Sequence, residues 1–248
     1  MTLLAQLNDP TAVAAIKAHA VKDYPNEACG AITPTGYQPL NNLAADPKHS
    51  FECTDQVNAL RAAGNLIALV HSHPDGPDAP SGLDIQQQIA FDIPWGLVLC
   101  NGTAAQAPWW WGDMLDPPPL LGRRFRHGPS GTDGKGDCYA LIRDYYRIER
   151  KIILPDFPRD DSWWTKDGQD LYAANFGKAG FVTADAAHPE IGDVVLLQIG
   201  RAPVAQHAAI YTGGGRVLHH LTNRLSGEVS FVNWTKHIRY WLRFKALP

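Results

Sequence analysis

Two hydrophobic rhythms alternate along the first half of the chain. Asp9-Pro10-Thr11 is a cap-like start, and the apolar residues Val13, Ile16 and Ala20 that follow at spacings of three and four predict a helix over 9–21, ended near Pro25. The runs Cys29–Thr33 and 66–71 are short, apolar and of strand length, while 55–63 between them carries a helical pattern. A second amphipathic segment covers 83–91, with Asp84 in its first turn. Trp95–Cys100 and 107–111 read as a hairpin turned by Asn101-Gly102, because a tight hairpin needs positive φ at both turn residues. The order helix, strands, helix, strand, helix, strands describes a mixed α/β unit.

The rhythm breaks between 112 and 136. Asp116-Pro117-Pro118-Pro119, then Gly128-Pro129-Ser130-Gly131 and Gly134-Lys135-Gly136, cannot hold a long regular element, since Pro lacks an amide donor and Gly raises the entropic cost of order. We place a linker at 113–122 between a domain of 1–112 and one of 123–248. Residues 137–152 have helical periodicity with a stripe of Leu141, Ile142, Tyr145, Tyr146 and Ile148. Strand-like runs follow at 191–198, 207–211, 217–220, 229–234 and 238–244. One helix followed by an antiparallel sheet is an α+β pattern, so the whole chain is α/β plus α+β.

Charge agrees with two units. Residues 1–115 hold 4 basic and 11 acidic side chains, net −7, whereas 116–248 hold 18 and 14, net +4. The acidic half suits a cation site, and the mildly basic half suits an anionic wall polymer. Arg123-Arg124-Phe125-Arg126 is one short basic cluster, read as linker surface, and no nucleic-acid partner is expected. Trp109-Trp110-Trp111 and Trp163-Trp164 read as packing surfaces of a domain interface. The N-terminus has no basic n-region and no stretch approaches the ~20 apolar residues of a membrane helix, so a soluble protein made in the cytoplasm is expected. Cys29, Cys53, Cys100 and Cys138 form no CxxC pair, so reduced thiols are the default.

His71 and His73 sit at i and i+2 at the end of an apolar run, so their side chains share a face and can share a metal ion. Asp84, at the next helix start, can supply a third ligand. Two imidazoles and one carboxylate leave a fourth tetrahedral position open, the arrangement of catalytic rather than structural zinc. A carboxylate must still shuttle protons, and Glu27, just before the strand Cys29–Thr33, is the candidate. Glu27, His71-Ser72-His73-Pro74 and Pro80-Ser81-Gly82-Leu83-Asp84 together resemble the motif of the JAMM metallopeptidases of the MPN fold, over residues 10–112. The resemblance implies Zn2+ held by His71, His73 and Asp84, acid/base work by Glu27, and a Ser81 hydroxyl that helps hold the tetrahedral intermediate.

Cys138 lies at the expected N-terminus of a long helix, where unpaired amides favour the thiolate. His207 opens one strand and His219 lies on the next, across Gly213-Gly214-Gly215, so His219 can hold His207 in the tautomer that accepts the thiol proton. His220 is the competing third member, turned to the opposite face by strand alternation. Asp137-Cys138-Tyr139, 191–197, 207–211 and His219 resemble the NlpC-type papain-like peptidases of bacterial cell-wall peptides, over 122–246. Two departures stand out. Many members carry a Tyr about a dozen residues before the Cys to help bind the oxyanion, where this chain has Phe125, and Tyr139 replaces the commoner Ser.

The order of the two units, their Pro-rich linker and the run from Asp137 to Tyr146 resemble the tail tip assembly proteins of long-tailed bacteriophages. That resemblance implies other tail tip proteins and peptidoglycan stem peptides as partners, and a place in the host cytoplasm during assembly and at the virion tail tip. Two other readings remain: a structural assembly factor whose sites are little used, and a bacterial isopeptidase acting on a ubiquitin-like modifier.

Overall fold

The computed structural model describes residues 2–245. They form two compact units, one built mainly on residues before 81 and on 87–116, the other mainly on 117–130 and 134–245. In the first, α1 (Leu3–Leu7) leads into α2 (Pro10–Asp23). Asp9 starts α2 as its sequence suggests: Oδ1 accepts from the amides of Thr11 and Ala12, each at 3.0 Å, and Pro10 needs no partner at N1. Then come β1 (Cys29–Thr33), β2 (Gly36–Leu40), α3 (Thr54–Ala62), β3 (Ala68–Pro74), α4 (Gly82–Phe91), β4 (Trp95–Cys100) and β5 (Trp109–Trp111).

The sheet order is β2-β1-β3-β4-β5, antiparallel except for the parallel pair β3 and β4 joined across α4. Alternation divides the strand side chains between two cores. Cys29, Ala31 and Leu69 pack with Val57 of α3, Trp95, Leu97, Trp109 and Trp111, whereas Ile32, Ala68 and Val70 pack with Ile16 and Ala20 of α2, Val98 and Trp110. A sheet covered on both faces needs apolar residues at every position, which is why these strands read as unbroken runs.

Three expectations change here. β2 escaped the pattern because Tyr37-Gln38-Pro39 has no apolar run, and an edge strand tolerates both the exposure and the proline. Asn101-Gly102 does turn the chain, with Gly102 at φ +79°, but the strands resume only at Trp109. Asn101 Oδ1 accepts from the Thr103 and Ala104 amides and so builds a longer loop, not a two-residue hairpin. Trp109–Trp111 is core of the first unit and not an interface surface, being buried in alternation on both faces of the sheet.

In the second unit, α5 (Cys138–Tyr145) runs into one π-helical turn at Tyr146–Arg150 that ends at Lys151 with φ 58°, so the helix is shorter than its periodicity suggests. After α6 (Leu171–Asn175) come β6 (Phe181–Thr183), β7 (Val194–Leu197), β8 (His207–Gly213), β9 (Arg216–His219), β10 (Gly227–Ser230) and β11 (Ile238–Phe244). They form an antiparallel sheet in the order β10-β9-β8-β7-β11-β6. Leu141, Ile142 and Tyr145 of α5 bury against Val194, Leu196, Ala208 and Ile210. The basic cluster is not linker surface. Arg123 and Arg126 are buried, and Arg123 pairs with Asp144 at 2.6 Å while donating to the carbonyls of Pro118 and Pro119.

Candidate metal centre and candidate thiol site

A loop over residues 75–81 joins the end of β3 to the start of α4, and the end of a parallel strand that leads into its crossover helix is a usual place for a ligand. His71 and His73 lie two residues apart on β3, both buried, with Nε2 atoms 3.2 Å apart. Phe51 stacks on His71 at 4.7 Å between ring centroids. His73 Nδ1 lies 3.0 Å from the Pro77 carbonyl oxygen, a contact that needs the proton on Nδ1 and leaves Nε2 as the ligand atom. Asp84 completes the group: one donor atom from each of the three residues lies within 4.8 Å of the others.

Ser81 fixes the carboxylate. Its amide and its hydroxyl both donate to Asp84 Oδ2 at 2.7 Å, and the Asp84 amide returns a hydrogen bond to Ser81 Oγ at 3.1 Å. This reciprocal cap makes Ser81 the N-cap of α4 and holds the Asp84 rotamer. The residues fit a zinc ion by donor chemistry and spacing, since tetrahedral Zn–N bonds of about 2.0–2.1 Å put two nitrogens about 3.3 Å apart. Glu27 is buried at the same end of the sheet. Cys29 pairs with His71 in the antiparallel ladder, and the Ser72 amide donates to the Ala28 carbonyl at 2.9 Å, so the residue before Ala28 reaches the end of β3 beside His73. Ser72, read only as part of the motif, also ties β1 to β3 at the site, because its hydroxyl accepts from the Ala28 amide at 2.8 Å.

In the second unit Asp137 is the N-cap of α5, its Oδ1 accepting from the Ala140 amide at 2.8 Å, which puts Cys138 at the first helical position. Cys138 lines a cavity of about 210 Å³ together with His207, His220, Phe125, Arg159, Trp163 and Tyr172. His207 Nε2 lies 3.2 Å from His219 Nδ1, and Trp234 packs edge-on against His219 at 5.1 Å. Ala209 is the ladder partner of His219, so His207, two residues earlier on β8, shares its face. With Nε2 turned to His219, Nδ1 of His207 is the nitrogen left for a thiol proton. Strand alternation does not separate His220 from the site, because β9 stops at His219; His220 is fully buried in the cavity wall against Phe125.

Burial, with the Asp137 carboxylate beside it, pushes the Cys138 thiol up to about 11, against pulls from the Tyr172 hydroxyl, the Ala208 amide and Arg159. Burial and the two neighbouring histidines push His207 down to about 3. At rest the pair is therefore a neutral thiol and a neutral imidazole. Three residues here had no sequence signal. Arg159 donates to Asp137 at 2.6 Å and Asp156 at 2.7 Å, Trp234 covers His219, and Tyr172 Oη lies 3.3 Å from Cys138 Sγ. Each comes from a segment whose register with the site only packing sets. All four cysteines are free and buried.

The two halves match two family models, prokaryotic homologs of the JAB domain over residues 10–111 and the NlpC/P60 family over 122–243. They define a class of two-domain protein that joins a JAB-type unit to an NlpC/P60 peptidase unit. The chain belongs to the tail tip assembly protein K family: it is 38% identical over 184 residues to that protein of Escherichia phage lambda, covering 74% of this chain and 84% of the relative. It is 33% identical over 243 residues to the protein of the same name from Escherichia phage N15, covering 93% of each. The first half is also similar to a desampylase of Haloferax volcanii, 31% identical over 78 residues, 26% of this chain and 56% of the relative. Among the described residues, no helix is long and apolar enough to cross a membrane.

Proposed function

We propose that this tail tip protein is a two-site hydrolase whose Cys138 site cleaves amide bonds of peptidoglycan stem peptides during genome entry. The observation that carries the reading is the set Cys138, His207 and His219: a thiol at a helix N-terminus, in one cavity with an imidazole whose far nitrogen lies 3.2 Å from a second imidazole. His207 takes the thiol proton as sulfur attacks the carbonyl carbon, then delivers it to the leaving amine. His219 keeps the ring in the productive tautomer, and the helix N-terminus stabilises developing negative charge.

In the first half, His71, His73 and Asp84 would hold Zn2+, with Ser81 orienting Asp84. A bound Zn2+ would supply Lewis acidity to an amide carbonyl and to water. Glu27 would carry protons at that site, which acts on a tail protein or on the wall.

Purified full-length protein incubated with stem peptides and with tail proteins, in the presence of zinc and reductant, tests this by mass spectrometry. Cys138→Ala is expected to lose stem-peptide cleavage, and His71→Ala/His73→Ala to retain it. A wild type that leaves every peptide and protein intact overturns the reading. A second reading, an assembly factor with little-used sites, is favoured by the burial of Cys138. It predicts that phage carrying Cys138→Ala and Glu27→Gln assemble and infect as wild type.

A further inference from the structure

We propose that Tyr172 is a catalytic hydrogen-bond donor of the Cys138 site: its phenol holds the sulfur at rest and donates to the carbonyl oxygen as negative charge develops there. The inference rests on the thiol-hydrolase reading above. Tyr172 stands on α6, 34 residues after the nucleophile, in a segment with no motif.

The geometry is specific. Tyr172 Oη lies 3.3 Å from Cys138 Sγ, and both residues line the same cavity. The phenol ring is held edge-on by Trp163 at 5.9 Å and Tyr139 at 6.4 Å, and Asp170 caps α6 through the Ala173 amide at 3.0 Å. The other tyrosine lining the cavity cannot serve, because Tyr139 Oη donates to the Pro155 carbonyl at 2.6 Å. The charged and titratable groups around the sulfur come from every side: Asp137 before α5, Arg159 after it, His207 on β8, and His220 after β9. Asp137 disfavours the thiolate, whereas Arg159 and the Tyr172 hydroxyl favour it.

During attack the thiol proton passes to His207 Nδ1, the S–C bond forms, and the carbonyl π pair moves to oxygen. Tyr172 donates a hydrogen bond to that oxygen and keeps its proton. Collapse breaks the C–N bond, and His207 returns the proton to the amine. Water then attacks the thioester with the same base, and the thiolate leaves and is reprotonated. One positioned donor to an oxyanion is worth about 10²–10³ in rate.

The test compares wild type, Tyr172→Phe and Tyr172→Gln, the last of which keeps a donor. Alkylation of Cys138 by iodoacetamide is followed against pH by mass spectrometry of its peptide, with Cys138→Ala as the blank for the other cysteines, and stem-peptide cleavage is measured alongside. Tyr172→Phe is expected to move the alkylation midpoint to higher pH and to lower kcat about 10²–10³-fold with KM little changed, and Tyr172→Gln to keep more kcat than Phe. An unmoved midpoint with unchanged kcat overturns the proposal. So does faster alkylation at every pH with an unmoved midpoint, which would make Tyr172 a cover over the thiol. If Tyr172→Phe loses its near-ultraviolet dichroism, Tyr172→Gln carries the test, and kcat reduced as far as in Cys138→Ala overturns the proposal. An inert wild type overturns the hydrolase reading itself, which the cleavage assay reports separately.

Discussion

Ser81 and Asp84 exchange hydrogen bonds across the first turn of α4, so one substitution has two readouts. Ser81→Ala removes a helix cap, at about 1 kcal/mol, and frees the carboxylate rotamer, which weakens metal binding about 10–100-fold. Denaturant unfolding and zinc titration measure the two effects, and unchanged zinc affinity would take Ser81 out of the site. The buried histidines set an acid limit. Burial pushes His207 to about 3 and His220 to about 4 from 6.5, so the folded chain keeps them neutral while the unfolded chain protonates. Their contribution is whole above pH 6.5 and is lost as pH falls from there towards 3. Thermal midpoints against pH should decline over that window, more shallowly in His220→Gln. At this scale the groupings that the fold brings together were legible, His71 with His73 and Asp84, and Cys138 with His207 in one cavity and His219 beside His207, because residue types and spacing are themselves the signal. Ser72, Arg159, Tyr172 and Trp234 were not, because nothing local distinguishes them from ordinary packing residues.

At the level of elements, the start of α5 does the positioning. Asp137 caps the helix with one oxygen and with the other accepts from the Gly128 amide at 3.0 Å and Arg159 Nε at 2.6 Å. Asp137→Ala therefore leaves a buried guanidinium short of a partner, and breaking such a pair costs about 3–5 kcal/mol. Urea unfolding should show a loss of that size, and a loss under about 1 kcal/mol, no more than a helix cap alone is worth, would contradict the clamp. Most helices and central strands were legible, since burial on one or two faces imposes a period on the sequence. β2, β6 and α6 were not: β2 and β6 are edge strands that carry exposed positions, and α6 is little more than one helical turn, too short to show a helical period. The π-helical end of α5 was hidden for a different reason, because the apolar stripe continues through Tyr146 and Ile148 although the backbone changes its hydrogen bonding.

Over the whole molecule the two sites should be separable. His71→Ala/His73→Ala should lose one equivalent of bound zinc by metal analysis while the Cys138 alkylation profile stays as in wild type. A change in that profile would mean that the halves are coupled. Particles carrying Cys138→Ala should assemble complete tails and fall short at genome entry, as counted by microscopy and by infectivity. The two-unit organisation was legible from the proline-rich break and the opposite charges of the halves. The lengthy excursion between α5 and β7 was not legible as part of the thiol site, although it supplies Arg159, Trp163 and Tyr172 to the cavity wall.

The neutral resting pair has a kinetic consequence. A site that stored its nucleophile as a thiolate would have moved the proton before substrate arrived, and bond formation would proceed with no hydrogen in flight. With Cys138 held near 11 and His207 near 3, that hydrogen must travel during acylation itself. Acylation should then run slower in heavy water than in light water, and its rate should stay level across the neutral range, where neither partner changes protonation.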